Sequence, residues 1–372
     1  MAQVTWRRRT PCSGPVWVAA HSARSGPPGL YARGVPSPSR PPELFPGVQL
    51  HVVSGKGGTG KSTVAAALAL ALASRGKTVL LCEVEGRQGV AQLFDVPPLP
   101  YEERLLVRPQ AGSGEVYALA IDPESALLEY LDMYYRLGRA GKALDRFGVI
   151  EFATTIAPGV RDVLLTGKVY EAAHRNSRNK GARSYDAIVL DAPPTGRIAQ
   201  FLNVNDELAG LAKVGPIKSQ ADTVTTLLRS ERTVIHLVTV LEEMPVQETA
   251  DGIEELRGTG LPVGAVVVNQ VRPQDLDHDD RAALVSGSVD RSRLGGVLTA
   301  AGVEVTDDLL AGLLDEGVQH AERRELEDGQ RALVHDLGVP VVELTRLASG
   351  VGGRDLGGLY ELAEQLCTQG LA

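Results

Sequence analysis

Ser54-Gly55-Lys56-Gly57-Gly58-Thr59-Gly60-Lys61-Ser62-Thr63 lies between the apolar run Val48-Gln49-Leu50-His51-Val52-Val53 and the alanine- and leucine-rich segment Val64 to Leu72. The pattern predicts a strand, a glycine-rich turn and a helix, the setting in which G-x-x-x-x-G-K-[ST] is a phosphate cradle. Glycines at 55, 57, 58 and 60 let the backbone curl around a triphosphate and turn its N–H groups toward the oxygens. The helix that begins there adds the positive end of its dipole. Such a cradle takes ATP with Mg²⁺. Lys61 reaches the β and γ phosphates, the Ser62 hydroxyl meets the metal, and Thr59 and Thr63 complete the wall.

A chain of 372 residues is long enough for a large core that needs no covalent staples. Its formal charge of -8 argues against nucleic acid as a partner, because that activity leans on basic surface. The three cysteines, Cys12, Cys82 and Cys367, are far apart and form no C-x-x-C pair, so neither a zinc site nor a disulfide framework is expected. A reducing cytoplasmic location follows, with peripheral association at a membrane left open. No apolar run approaches the length of a spanning helix.

Residues 1–46 differ from the rest. They carry Arg7, Arg8, Arg9, Arg24, Arg33 and Arg40 against Glu43 alone, among many Pro, Ser and Gly, and read as a disordered extension ahead of a domain over 47–372. From Lys77 the chain alternates. Thr78 to Cys82, Val116 to Ile121, Tyr185 to Leu190, Thr233 to Thr239, Val263 to Val268 and Pro340 to Leu344 are short apolar strands of the kind that fill a parallel sheet. The fold class is therefore α/β, a doubly wound and mostly parallel sheet. Residues 123–180 break the alternation with apolar positions at helical spacing, through Leu127 and Leu131, then Phe147 to Ile156, then Val160 to Tyr170. This stretch is expected to be a helical insertion that projects from the sheet. Asp191, at the carboxyl end of an apolar strand and before the turn Ala192-Pro193-Pro194-Thr195-Gly196, suits a contact to Mg²⁺ through water. His236 lies inside an apolar strand and reads as a core histidine, and the acids at 275, 277, 279 and 280 read as a solvated face.

Lys56 is not needed to hold phosphate within one chain. With it, the loop resembles the deviant Walker A motif of the signature-lysine ATPases, which include the MinD, ParA, arsenite-pump (ArsA) and tail-anchored-protein targeting (Get3) families. In those families the extra lysine crosses a dimer interface to the partner's nucleotide, so the resemblance assigns Lys56 a contact in trans. Three further segments are similar to the ArsA/Get3-like branch: Asp191-Ala192-Pro193-Pro194-Thr195-Gly196-Arg197, Val240 to Thr249, and Val266-Val267-Val268-Asn269-Gln270. There the Asn, here Asn269, reads the adenine edge.

One departure is chemical. Where that branch has an Asp-Pro-Ala-His switch, this chain has Glu85-Gly86-Arg87-Gln88, which puts the water-orienting carboxylate of Glu85 on a longer arm. Catalytic roles thus fall on Lys56, Lys61, Glu85 and Asp191. The resemblance implies a dimeric ATPase, paired with itself or with a related subunit and coupled to a protein client or a membrane partner. A nucleotide-gated regulatory subunit and a MinD/ParA-type positioning ATPase remain alternatives.

Overall fold

The computed structural model describes residues 41–108, 113–135, 158–175, 183–203, 216–348, 350–351 and 356–372. Eight strands make one sheet: β1 Leu50–Gly55, β2 Val79–Glu83, β3 Arg104–Val107, β4 Val116–Ala120, β5 Ala187–Asp191, β6 Thr233–Thr239, β7 Val263–Val271 and β8 Val341–Thr345. Their order is β3-β4-β2-β5-β1-β6-β7-β8, parallel throughout except for the antiparallel pair β3 and β4. The chain winds outward from β1 on one side through β2, β4 and β3. It returns at β5 and then winds the other way, so the reversal lies beside β1, where open α/β sheets place their ligands. In β1, β2, β4, β5 and β6 every residue is buried, which is why these strands lack polar alternation.

Helices cover both faces. One face carries α1 Lys61–Ser74, α2 Gly89–Leu93 and, at the end of the described chain, α11 Gly357–Thr368. Helix α1 is apolar on every side, and its residues from Val64 to Ala73 are all buried, because it is enclosed between the sheet and α11. Small alanines let the layers approach, while Leu68 and Leu72 each contribute on the order of 1.5–3 kcal/mol by leaving water. The opposite face carries α4 Pro158–His174, α5 Thr195–Leu202, α6 Pro216–Leu228 and α7 Glu243–Gly258. Helix α3, Pro123–Tyr135, packs on α4.

Helix α4 corrects the expectation that the insertion projects. Its Val163, Leu165, Val169 and Ala172 are buried in the core that also holds Leu50, Ile188 and Leu190. An apolar face this wide gains more against the sheet than in solvent. The middle of the expected insertion, Phe147 to Ile156, lies outside the described residues.

Helices α8 His278–Val285, α9 Arg291–Ala300 and α10 Asp307–His335 follow β7. Neither α8 nor α9 buries any residue, and α10 is tied to the end of β7 by Arg272 on Glu327 and by Arg324 donating to the Arg272 carbonyl, and to β8 by Arg331 on Glu343. Asp277 in the acidic run accepts from the Asp280 N–H and caps α8.

Residues 43–45, assigned to the extension by composition, are bonded to the body. Leu44 N–H donates to the Gly370 carbonyl, Glu43 pairs with Arg75 and Lys77, and the Phe45 ring meets His236 edge-on at 5.3 Å. Cutting the chain at Gly47 is therefore expected to lower its melting temperature relative to a cut at Pro41, as scanning calorimetry of the two forms would show.

The same corner holds a buried histidine pair. Ala265 N–H donates to His236 Nδ1, which leaves the proton on Nε2, and that N–H donates to His51 Nδ1 at 3.2 Å. Burial pushes both imidazoles down, His236 to about 3. Above pH 6.5 both states of the chain hold these rings neutral. Below it the unfolded chain takes up protons that the folded chain refuses, so stability falls as the pH drops from about 6.5, for His236 down to about 3 at up to about 1.4 kcal/mol per pH unit, with His51 acting in the same direction. Denaturant titrations at several pH values are expected to show this acid limb, and it should flatten in the His51→Leu/His236→Leu double variant.

Candidate functional site

The turn after β1 closes around an open cradle. Gly55 sits at φ 148° with its α-carbon against β6, where a β-carbon would lie 2.1 Å from the Val238 carbonyl oxygen. At Gly60, φ is 90° and a β-carbon would meet the Asn269 amide at 2.3 Å. Only glycine fits either place. Gly57 and Gly58 differ, since a methyl there would touch nothing within 4 Å, so the protein itself does not fill the space they border. Thr59 Oγ1 donates to the Lys56 carbonyl and holds the turn. Gly60, the residue capping α1, offers no side chain to the helix N-terminus, which leaves its amides for an anion.

Lys61 lies at the start of α1 and is 8% exposed. It makes no ion pair or hydrogen bond among the described residues. Burial lowers its pKa, partly offset by the fields of Asp191 and Glu85. A buried ammonium without a partner is costly, and it favours an anionic ligand. Ser62 Oγ donates to Asp191 Oδ2 at 2.5 Å. Burial raises Asp191 to about 6, against the pull of the Ser62 hydrogen bond and Lys61, with Glu83 and Glu85 pushing the same way as burial. Two hard oxygen donors in a pocket with surplus negative charge suit Mg²⁺, so the residues present fit that ion. Ser54 Oγ donates to the Pro193 carbonyl and joins the strand before the cradle to the turn after Asp191.

Glu85 and Glu83 differ in burial and in partners. Glu85 is half-buried and faces Arg87 at 3.7 Å. Glu83 is buried at the end of β2, in register with Asp191, and accepts from Gly89 N–H at 2.9 Å and Val90 N–H at 3.3 Å. It anchors the first turn of α2 to the sheet. Sequence reasoning passed over Glu83, although an acid that ends an apolar run beside the Asp191 strand was the available signal.

Two predicted residues have partners within the chain. Lys56 Nζ donates to Glu248 Oε1 on α7, a contact between positions 192 apart that no local pattern announces. Asn269, at the end of β7, donates from Nδ2 to the Thr59 carbonyl at 2.8 Å and accepts at Oδ1 from Gln270 N–H. One amide hydrogen and one lone pair of Asn269 remain for a ligand. Beside it opens a cavity of about 470 Å³ lined by Gly60, Thr63, Asn269, Gln270, Thr345 and Arg346. The loop after β8 that brings Arg346 here carried no signal in the sequence reading.

The family model described as anion-transporting ATPase matches residues 48–226, from the strand before the cradle past Asp191. ATPase BagA of Mycobacterium tuberculosis is 54% identical over 330 residues, covering 89% of this chain and 96% of that protein. The arsenical pump-driving ATPase of Escherichia coli is 26% identical over 306 residues, and the match spans 50% of its length. ATPase GET3 of Kluyveromyces lactis is 24% identical over 264 residues, or 73% of its length. With a cradle whose lysine has no anion of its own, a hydroxyl and carboxylate side by side, and a relative alike over nearly its whole length, this chain belongs to the anion-transporting ATPase family, that of the ArsA- and Get3-like ATPases.

Proposed function

We propose that the chain binds Mg-ATP in the cradle and hydrolyses it as one of two facing cores, either two copies or this chain with a related subunit. The observation that carries the reading is Lys61, a buried cation at a glycine-lined turn with no partner among the described residues. The triphosphate enters along Gly55 to Ser62, with the nucleoside in the cavity beside Asn269. Lys61 neutralises charge that grows on the leaving phosphates, and Lys56 from the opposite core does the same in trans. Ser62 and Asp191 would hold Mg²⁺. When bound, the ion supplies charge neutralisation and alignment of the β and γ phosphates. Glu85 or Asp191 orients the attacking water.

Nucleotide state would reach a protein client or a membrane-bound partner through the helices that pack behind these residues. No helix among the described residues is long and apolar enough to cross a membrane, so a membrane role would be peripheral.

If two cores are required, phosphate release per chain rises with protein concentration, and the mass in solution doubles with a non-hydrolysable ATP analogue. Turnover per chain that is independent of concentration, with the mass of a single chain throughout, would refute the pairing of two copies. The pairing of Glu85 with Arg87 favours one alternative, a nucleotide-gated subunit with slow turnover. That reading expects Arg87→Ala to speed phosphate release by freeing the carboxylate, whereas in the main reading the change is small.

A further inference from the structure

Helix α7 runs from beside the cradle and packs in two directions. Gly252, on its inward face, lets it close on α5, where a β-carbon at 252 would touch Thr195 at 3.4 Å, and α5 is the helix that follows Asp191. Besides the sheet strands it covers, it also touches α10. Glu248, on this helix, is the counter-ion of Lys56. Lys56 Nζ therefore spans from the cradle to the element that links the Asp191 turn with the helices after β7.

We propose that Glu248 is the resting place of Lys56: an internal carboxylate that holds the trans lysine at home, competes with the phosphate of a facing core, and ties α7 to the cradle until that core arrives. This rests on the two-core reading above. Both side chains are about a third exposed, at 29% and 36%, so water screens the pair and it can be given up. A triphosphate offers the ammonium more negative charge than one carboxylate does, in a contact that assembly would bury. The exchange makes release of α7 a consequence of assembly. Because α7 touches α5 and α10, that release is felt behind Asp191 and in the helices beyond β7. Glu248 is a regulatory positioning residue, and it touches no reacting atom.

The test uses the full chain and its Glu248→Gln variant with a non-hydrolysable ATP analogue and Mg²⁺, followed by sedimentation velocity. Each dimer gives up two partly exposed pairs, so the variant is expected to dimerise at a protein concentration lower by about three- to ten-fold, and the difference should vanish near 1 M salt. Without nucleotide, Lys56 should react faster with an amine-directed acylating reagent in the variant than in the wild type, read by peptide mass. If the wild type dimerises and Glu248→Gln dimerises equally or less well, the resting-place role is overturned while the two-core reading stands. Failure of the wild type to dimerise while Lys56 reactivity still rises in the variant would leave the ion pair intact but refute the pairing of two copies and the resting-place role built on it.

Discussion

Lys61→Ala is expected to cut ATP turnover by at least about 100-fold and to weaken Mg-ATP binding to a similar degree, with the fold intact. The ammonium it removes is a buried cation at the cradle that touches no carboxylate among the described residues, and burial already lowers its pKa. Its loss strips the site of the charge meant for the triphosphate while sparing the folded chain a poorly compensated cation. The melting temperature without nucleotide should therefore hold or rise slightly, whereas the rise on adding Mg-ATP should disappear. Lys61→Arg should not rescue, since a planar fork on a longer arm cannot take the place of a compact ammonium. Phosphate release, calorimetric titration and thermal shift measured on the same samples separate these outcomes. Near-normal turnover in Lys61→Ala would remove the central assignment.

Gly55→Ala is expected to give the largest loss of stability among single changes at the cradle. The added methyl would lie 2.1 Å from the Val238 carbonyl oxygen, and its φ of 148° is one that L residues rarely adopt. The obstacle is backbone in the strand paired with β1, so no side chain can swing aside. Separating β1 from β6 at that register costs on the order of 3 kcal/mol, or roughly 5–10 °C in melting temperature. Gly58→Ala is the comparison: its methyl meets nothing within 4 Å, and only the φ of 91° opposes it, for about 1–2 kcal/mol. Its damage should fall on nucleotide binding more than on melting. Equal melting of the two variants would show that the Gly55 contact is not the constraint it looks like.

Much of this could be read in advance because burial leaves a plain mark. Strands enclosed by helices on both faces read as apolar runs, and the six expected after β1, together with β1 itself, are all present. Strand β3, Arg104–Val107, was missed because four half-buried residues on an antiparallel edge carry neither an apolar run nor a clean alternation. Strand order was also hidden: β5 enters between β2 and β1, and nothing local to residues 187–191 specifies that neighbour. At the site, Lys61, Ser62 and Asp191 were legible because their positions after strand ends fix what they do. Glu83 is harder to read than Glu85, two residues on, because the difference between them is burial. Glu248 became visible only with the tertiary contact, since the charge it serves sits in another segment of the chain.

Helix α1 meets sheet on one side and α11 on the other, with Val64 to Ala73 all out of water. A rod clamped this way has nowhere to slide without opening gaps on both flanks, each as expensive as a large-to-small change in the core. The floor of the cradle then works as an anvil. Whatever travels through the cycle must be borne by the short α2 or by α7, whose outer surfaces face solvent.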